Sequence, residues 1–311
     1  MKSCPFVRLF SVAFLAVGLL LAPGCRREQP PSARGADEPS VPGLRTFEVR
    51  GVYKRLEDEG RTIVVYHEEI PGFMMAMTMP IPLKNPADAA GLEPGDQIHF
   101  RLCVTEDSDW MDRIRKTGVK IDLTTLPKDD PAEWVDVEIL GPGDLLPDQT
   151  FTNQFGDIIA LSDFRGRALA LTFFFTRCPL PTYCPQMSRF FAEAQRQLLA
   201  DATAPTNWQL LCLSFDPAID TPAVLKGYAG AYGCDTNHWL FATSGEEEIE
   251  AFGRQFDLTL VREDGSISHN LRTVIADPEG RIQTVFTNNL WQPEDLVKAI
   301  RRAAGEEASK P

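Results

Sequence analysis

Apolar residues alternate with polar ones early in this chain and gather into strand-length runs later, and the change of pattern divides it in two. Phe47-Glu-Val-Arg-Gly-Val-Tyr alternates, Thr62-Ile-Val-Val-Tyr is β-branched, and Gln97-Ile-His-Phe-Arg-Leu-Cys-Val alternates again. A period of two puts one set of side chains on one face of a pleated strand. Asp58-Glu-Gly and Glu93-Pro-Gly-Asp supply the turns. The pattern predicts a small all-β barrel over residues 46–118, followed by a linker over 119–144. Beyond it, runs at 169–175, 209–215, 240–242, 273–276 and 282–287 predict strands, and 186–199, 222–232, 246–256 and 293–304 predict helices. Strand and helix in alternation predict an α/β domain with a mainly parallel centre over 145–311.

The amino terminus follows neither pattern. Lys2 and Arg8 accompany an apolar run over residues 9–22, fourteen residues long. That suits the core of a signal peptide and falls short of the roughly twenty residues a membrane span requires. The run ends in Leu21-Ala22-Pro23-Gly24-Cys25, which resembles a bacterial lipoprotein cleavage box. Residues 1–24 are therefore expected to be removed, and Cys25 to carry a lipid anchor on the periplasmic side of a bacterial membrane. A plain signal peptide that leaves Cys25 a free thiol is the alternative. Residues 25–45, rich in Pro, Arg, Glu, Ser and Gly, predict a flexible tether.

Composition narrows the partners. With 43% hydrophobic and 24% charged residues the chain can bury ordinary cores. A net charge of −13 argues against nucleic acid, whose phosphates call for clustered Lys and Arg.

The chemistry sits with sulfur and imidazole. Of seven cysteines, Cys4 lies in the leader and Cys25 just past its expected cleavage point, leaving Cys103, Cys178, Cys184, Cys212 and Cys234. An odd set does not make a simple disulfide framework in an exported protein. Cys103 and Cys212 lie in apolar runs and read as buried small hydrophobes; Cys234 reads as a loop residue. Cys178-Pro-Leu-Pro-Thr-Tyr-Cys184 joins an expected strand to an expected helix. There, backbone N–H groups and the helix dipole favour thiolate, which binds soft metals and attacks disulfides. His269 lies ahead of a later strand. Two thiolates and an imidazole suit Cu(I) or Cu(II), with zinc possible on ligand type alone; a structural disulfide or a redox dithiol stay open. His99 and His238 read as structural, and Asp216 and Asp220 as turn and capping residues.

A resemblance adds to this. Pro147-Asp-Gln-Thr-Phe-Thr, Leu161-Ser-Asp-Phe-Arg-Gly-Arg, Phe173-Phe-Phe-Thr-Arg-Cys-Pro, Cys184-Pro-Gln-Met, Ser214-Phe-Asp-Pro-Ala-Ile-Asp-Thr-Pro and Ser268-His-Asn-Leu-Arg-Thr-Val-Ile-Ala-Asp resemble, in order, the blocks of the Sco/SenC family of copper proteins. That resemblance implies a thioredoxin-like fold, copper ligation by Cys178, Cys184 and His269, and delivery to the copper centre of cytochrome c oxidase. The family usually places three residues between its cysteines, whereas this chain has five.

A second constellation precedes it. Met74, Met75, Met77 and Met79 are four of the chain's seven methionines. Two positions apart on a strand, Met77 and Met79 point to one face, and thioethers are soft ligands for Cu(I). His67 together with Ala76-Met-Thr-Met79 and Leu92-Glu-Pro-Gly-Asp-Gln-Ile-His-Phe resembles the CusF-like periplasmic copper-binding proteins, which implies a barrel of oligonucleotide-binding (OB) type. Met74 stands where those proteins carry a tryptophan over the metal. A Met-rich patch that merely packs is the alternative. The expected protein is a tethered copper chaperone with two sites. The competing reading is a thiol–disulfide reductase acting on an acceptor's cysteines, with Cys178 as nucleophile and Cys184 resolving.

Overall fold

The computed structural model describes residues 41–126, 137–263 and 266–305. The leader, Cys25, most of the tether and residues 127–136 of the expected linker lie outside them. Alternation at 45–57 forms β1 (Arg45–Glu57), the centre of a five-stranded antiparallel sheet with β2 (Thr62–His67), β3 (Met77–Pro82), β4 (Asp96–Val104) and β5 (Asp109–Lys120), in the order β3-β2-β1-β4-β5. Ile63, Val65, Met79, Ile81, Ile98, Phe100 and Met111 are buried within it. Arg101 and Asp112 form a buried bidentate pair at 2.7 and 2.8 Å.

The expected closed barrel is instead a curled open sheet. Leu83, just past β3, bridges Met111 of β5, and the Lys84 N–H donates to the Met111 carbonyl at 3.0 Å. No β3–β5 ladder follows from that contact. Pro80 and Pro82, two positions apart in β3, leave one edge of the strand short of N–H donors, and a ladder needs them.

Gly51 sets how tightly the sheet can curl. A Cβ there would lie 2.6 Å from the Tyr66 carbonyl oxygen and 2.7 Å from a Val65 methyl, and backbone cannot step aside. Gly51→Ala is expected to cost about 1–3 kcal/mol, the usual range for overpacking, read as a lowered urea midpoint. Because Gly51 pairs with His67, the same strain reaches the site described below.

The second part contains β6 (Thr150–Asn153), β7 (Ile158–Ala160), β8 (Ala168–Phe174), β9 (Trp208–Ser214), β10 (Trp239–Thr243), β11 (Leu260–Glu263), β12 (Ser266–His269), β13 (Thr273–Ala276) and β14 (Ile282–Phe286). Seven of these make one sheet in the order β14-β13-β8-β9-β10-β6-β7, while β11 and β12 pair as a separate hairpin. The three central strands β8, β9 and β10 are parallel. β8 and β9 are buried at every position, so their sequences read as unbroken apolar runs rather than alternation. Helices α1 (Cys184–Ala200), α2 (Pro222–Ala231), α3 (Glu246–Arg254) and α4 (Pro293–Ala303) fall close to the expected segments. Among the described residues no helix is long and apolar enough to cross a membrane.

Candidate metal centre

The chain leaves the centre of the sheet at the end of β8 and reaches Cys178 four residues later. Asp220 accepts from the Thr176 N–H at 3.0 Å and from the Thr176 hydroxyl. Asp216 accepts from the Arg177 guanidinium at 2.7 and 3.1 Å. Both carboxylates are buried. They are turn residues, as the sequence suggested, tied to each other through the Ser214 hydroxyl, and their other partners are the two residues that present Cys178.

Cys184 opens α1, with Pro185 in the first turn, a position where a missing N–H costs nothing. Its Sγ lies 3.5 Å from His269 Nε2. Both cysteines are free thiols, Cys184 fully buried and Cys178 partly accessible. Their protons are shared unequally. Cys178 is held well below the ordinary thiol range, first by its hydrogen bond with Cys184 and then by His269, against the opposing effect of burial. Burial and the neighbouring Cys178 charge push Cys184 well up. The pair gives up one proton easily and holds the second.

His269 ends β12 and stands between the rings of Phe215 and Phe175, with centroids at 4.6 and 5.8 Å. Its Nδ1 is 2.6 Å from the Asn270 carbonyl. A carbonyl can only accept, so Nδ1 donates to it, and Nε2 is the ring nitrogen turned toward Cys184. Among the described residues no three His, Cys, Asp or Glu side chains are already closed into a metal cage. Two thiols and one imidazole are neighbours that a soft ion could draw together.

The five-stranded sheet repeats the imidazole device. His67 is fully buried, and its Nδ1 lies 2.7 Å from the Glu68 carbonyl. Nε2 is buried with no hydrogen-bond partner. Burial also lowers its pKa, against the Glu68 contact, so the ring is neutral with an unused lone pair. His67 pairs directly with Met77, and Val65 with Met79, which places His67, Met77 and Met79 on one face. An orphaned buried nitrogen beside two thioethers is what a soft cation would satisfy. Met74 is buried in the tight turn closed by its bridge to Ile70, a short distance along the chain from that face.

Sequence reasoning missed how these two groups face each other. A cavity of about 400 Å³ is lined by Met75, Met77 and Met79 from the sheet and by His269 and Tyr183 from the second part. The Tyr183 hydroxyl donates to the Pro80 carbonyl in β3 at 3.0 Å, and the Thr182 hydroxyl donates to Asp109 at the start of β5. Asn289 in turn holds the Thr182 carbonyl at 2.7 Å. Thr182 and Tyr183 belong to the five-residue spacer between the cysteines, and its length was the only signal in the sequence. Three of the other sulfur and imidazole groups have partners of their own. Cys212 accepts from the Trp239 indole at 3.3 Å, Cys234 donates to the Trp239 carbonyl at 3.0 Å, and His238 stacks on Trp208 at 4.2 Å.

Comparison with known proteins agrees with both halves. Residues 46–116 match the family described as copper binding periplasmic protein CusF. A curated relative, the SCO1 protein homolog of Bacillus subtilis (strain 168), is 26% identical over 160 residues, covering 50% of this chain and 80% of its own length. The solved structure of a SCO1/SenC family lipoprotein from Bacillus anthracis str. Ames is 25% identical with a TM-score of 0.48, covering 53% of this chain and 99% of that one. BsSco, described as a member of the Sco family of cytochrome c oxidase assembly proteins and as having a disulfide switch, is 25% identical with a TM-score of 0.47, covering 54% of this chain and 99% of that one. The SCO1/SenC family model itself matches residues 139–305, more than half the chain, and with the thiol pair, the histidine and the central parallel strands in place, the chain belongs to the SCO1/SenC family.

Proposed function

We propose that this protein is a copper chaperone with two sites, one formed by Cys178, Cys184 and His269 and the other by His67, Met77 and Met79, with Met74 in reserve. The observation that carries the reading is the paired imidazole arrangement. Each histidine spends Nδ1 on the carbonyl of the next residue and leaves Nε2 for sulfur-rich surroundings. Thiolate and thioether donors select Cu(I) over harder cations, and copper is the cargo named for the family matched by residues 46–116. The acceptor we propose is the copper-centre subunit of cytochrome c oxidase, in keeping with the description given for BsSco. The proposed location is the periplasmic face of a bacterial membrane, with the chain held by lipid on Cys25.

Anaerobic Cu(I) titration of the reduced protein against a chelator of known affinity tests this. Two equivalents are expected. Cys178→Ser/Cys184→Ser should remove one and Met77→Leu/Met79→Leu the other. A single equivalent lost only with the methionine variant would leave the cysteines as a redox pair. That second reading, a thiol–disulfide reductase, is favoured by one observation: the partly accessible Cys178 has the lowered pKa and the buried Cys184 the raised one, as nucleophile and resolving thiols require.

A further inference from the structure

We propose that the cavity between the five-stranded sheet and the cysteine loop is an internal transfer chamber, through which Cu(I) moves from Met77 and Met79 to His269 and the two thiols without release to solvent. The inference rests on the two-site reading above and concerns the route between the sites. Its basis is that donors from both sites line one cavity: Met77 and Met79, with Met75 beside them, on one wall and His269 on the other. A Cu(I) ion changes ligands by association, gaining a new donor before losing an old one, so a continuous series of soft donors lets it move without ever being bare.

The longer cysteine loop is the feature that builds this chamber. Tyr183 and Thr182 join the loop to β3 and β5 through Pro80 and Asp109. Tyr183 is itself buried and lines the space. Thr182 and Tyr183 thus anchor the face that carries His269 opposite the methionines, and act as positioning residues rather than ligands.

The step balances without an oxidant. Copper stays Cu(I); the thioethers and the His67 imidazole leave as neutral donors. Cys178 and Cys184 take their place as thiolates, each thiol giving up its proton to solvent on binding. The direction is set by sulfur charge, since thiolate holds Cu(I) more strongly than thioether does.

The test separates rate from affinity in the full chain. Reduced protein is mixed anaerobically with less than one equivalent of Cu(I) held on a weak chelator, and thiolate-to-copper ultraviolet absorption reports arrival at the cysteines. Met77→Leu/Met79→Leu is expected to slow arrival by on the order of tenfold to a hundredfold while leaving the equilibrium affinity of the thiol site intact, because a donor held at about millimolar effective concentration has been removed. Ala76→Phe and, independently, Thr287→Trp place bulk in the cavity lining while sparing every proposed ligand. Either is expected to slow arrival with both equivalents still bound. Wild-type arrival rates in the methionine variant, and in both blocked variants with their two equivalents still bound, would overturn the chamber and leave the two-site carrier standing. Failure of either site to bind Cu(I) in the wild-type protein would instead remove the reading on which the chamber rests.

Discussion

Replacing His269 with alanine is expected to lower the copper affinity of the thiol site by more than about a hundredfold, the upper end of what removing a merely supporting group costs. Dithiol exchange should stay within a few-fold of wild type. The two outcomes part because the imidazole contributes differently to them. As a copper donor it supplies one of three soft ligands and the only one not carrying thiol protons. For exchange it acts only through the acidity of Cys178, and there the leading contribution is the hydrogen bond from Cys184, with His269 behind it. Chelator competition gives the affinity, and reaction with a small aromatic disulfide gives the exchange rate. A variant that keeps its copper affinity but loses exchange would reverse the assignment and make His269 part of a reductase. A matched His67→Ala variant should lose the sheet site and leave both thiol properties unchanged, since His67 pairs with Met77 and shares a strand face with Met77 and Met79, away from the cysteines in the chain.

What could be read from the chain follows from how local each feature is. The unbroken apolar runs of β8 and β9 announce strands buried on both faces. The two-residue spacing of Met77 and Met79 fixes their shared face. That His67 lies opposite Met77 depends on strand register, which a hydrophobic pattern constrains only once the partner strand is known. The hairpin of β11 and β12, which carries His269, went unseen because Leu260–Glu263 and Ser266–His269 are too short and too mixed to show a period. The barrel expected over 46–118 stays open at its β3 edge, and the two prolines responsible were visible all along. The contacts from Thr182 to Asp109 and from Tyr183 to Pro80 join residues 73 and 103 positions apart. No local rule links such residues. The extra length between the cysteines has a physical role only once the sheet is seen against it.

Asp109 is where that contact can be weighed by pH. It is 1% exposed, and one of its carboxylate oxygens has no hydrogen-bond partner. Burial pushes its pKa from 3.8 up to about 6, against the hydrogen bonds from Thr182, with the Cys178 charge adding to the rise. The folded protein therefore holds a proton that the unfolded chain releases between those two values. Stability contributed by this group is present below pH 3.8, falls as pH rises through about 6, and stays lost above it. Two pKa units correspond to about 3 kcal/mol as an upper bound. Asp109→Asn keeps an acceptor for Thr182 and cannot ionise. Its amide brings a constant hydrogen-bond cost of about 1–3 kcal/mol if its new N–H group finds no acceptor, so the variant is expected to be the less stable protein near pH 4. The difference should then move in the variant's favour by about 2–3 kcal/mol between about pH 4 and about pH 7.5, because only the wild type accumulates the buried charge. Urea denaturation at the two pH values reads this change independently of the constant term. Parallel pH dependences would mean that Asp109 titrates as a solvated carboxylate, and with it would fall the buried contact that holds the cysteine loop against the sheet.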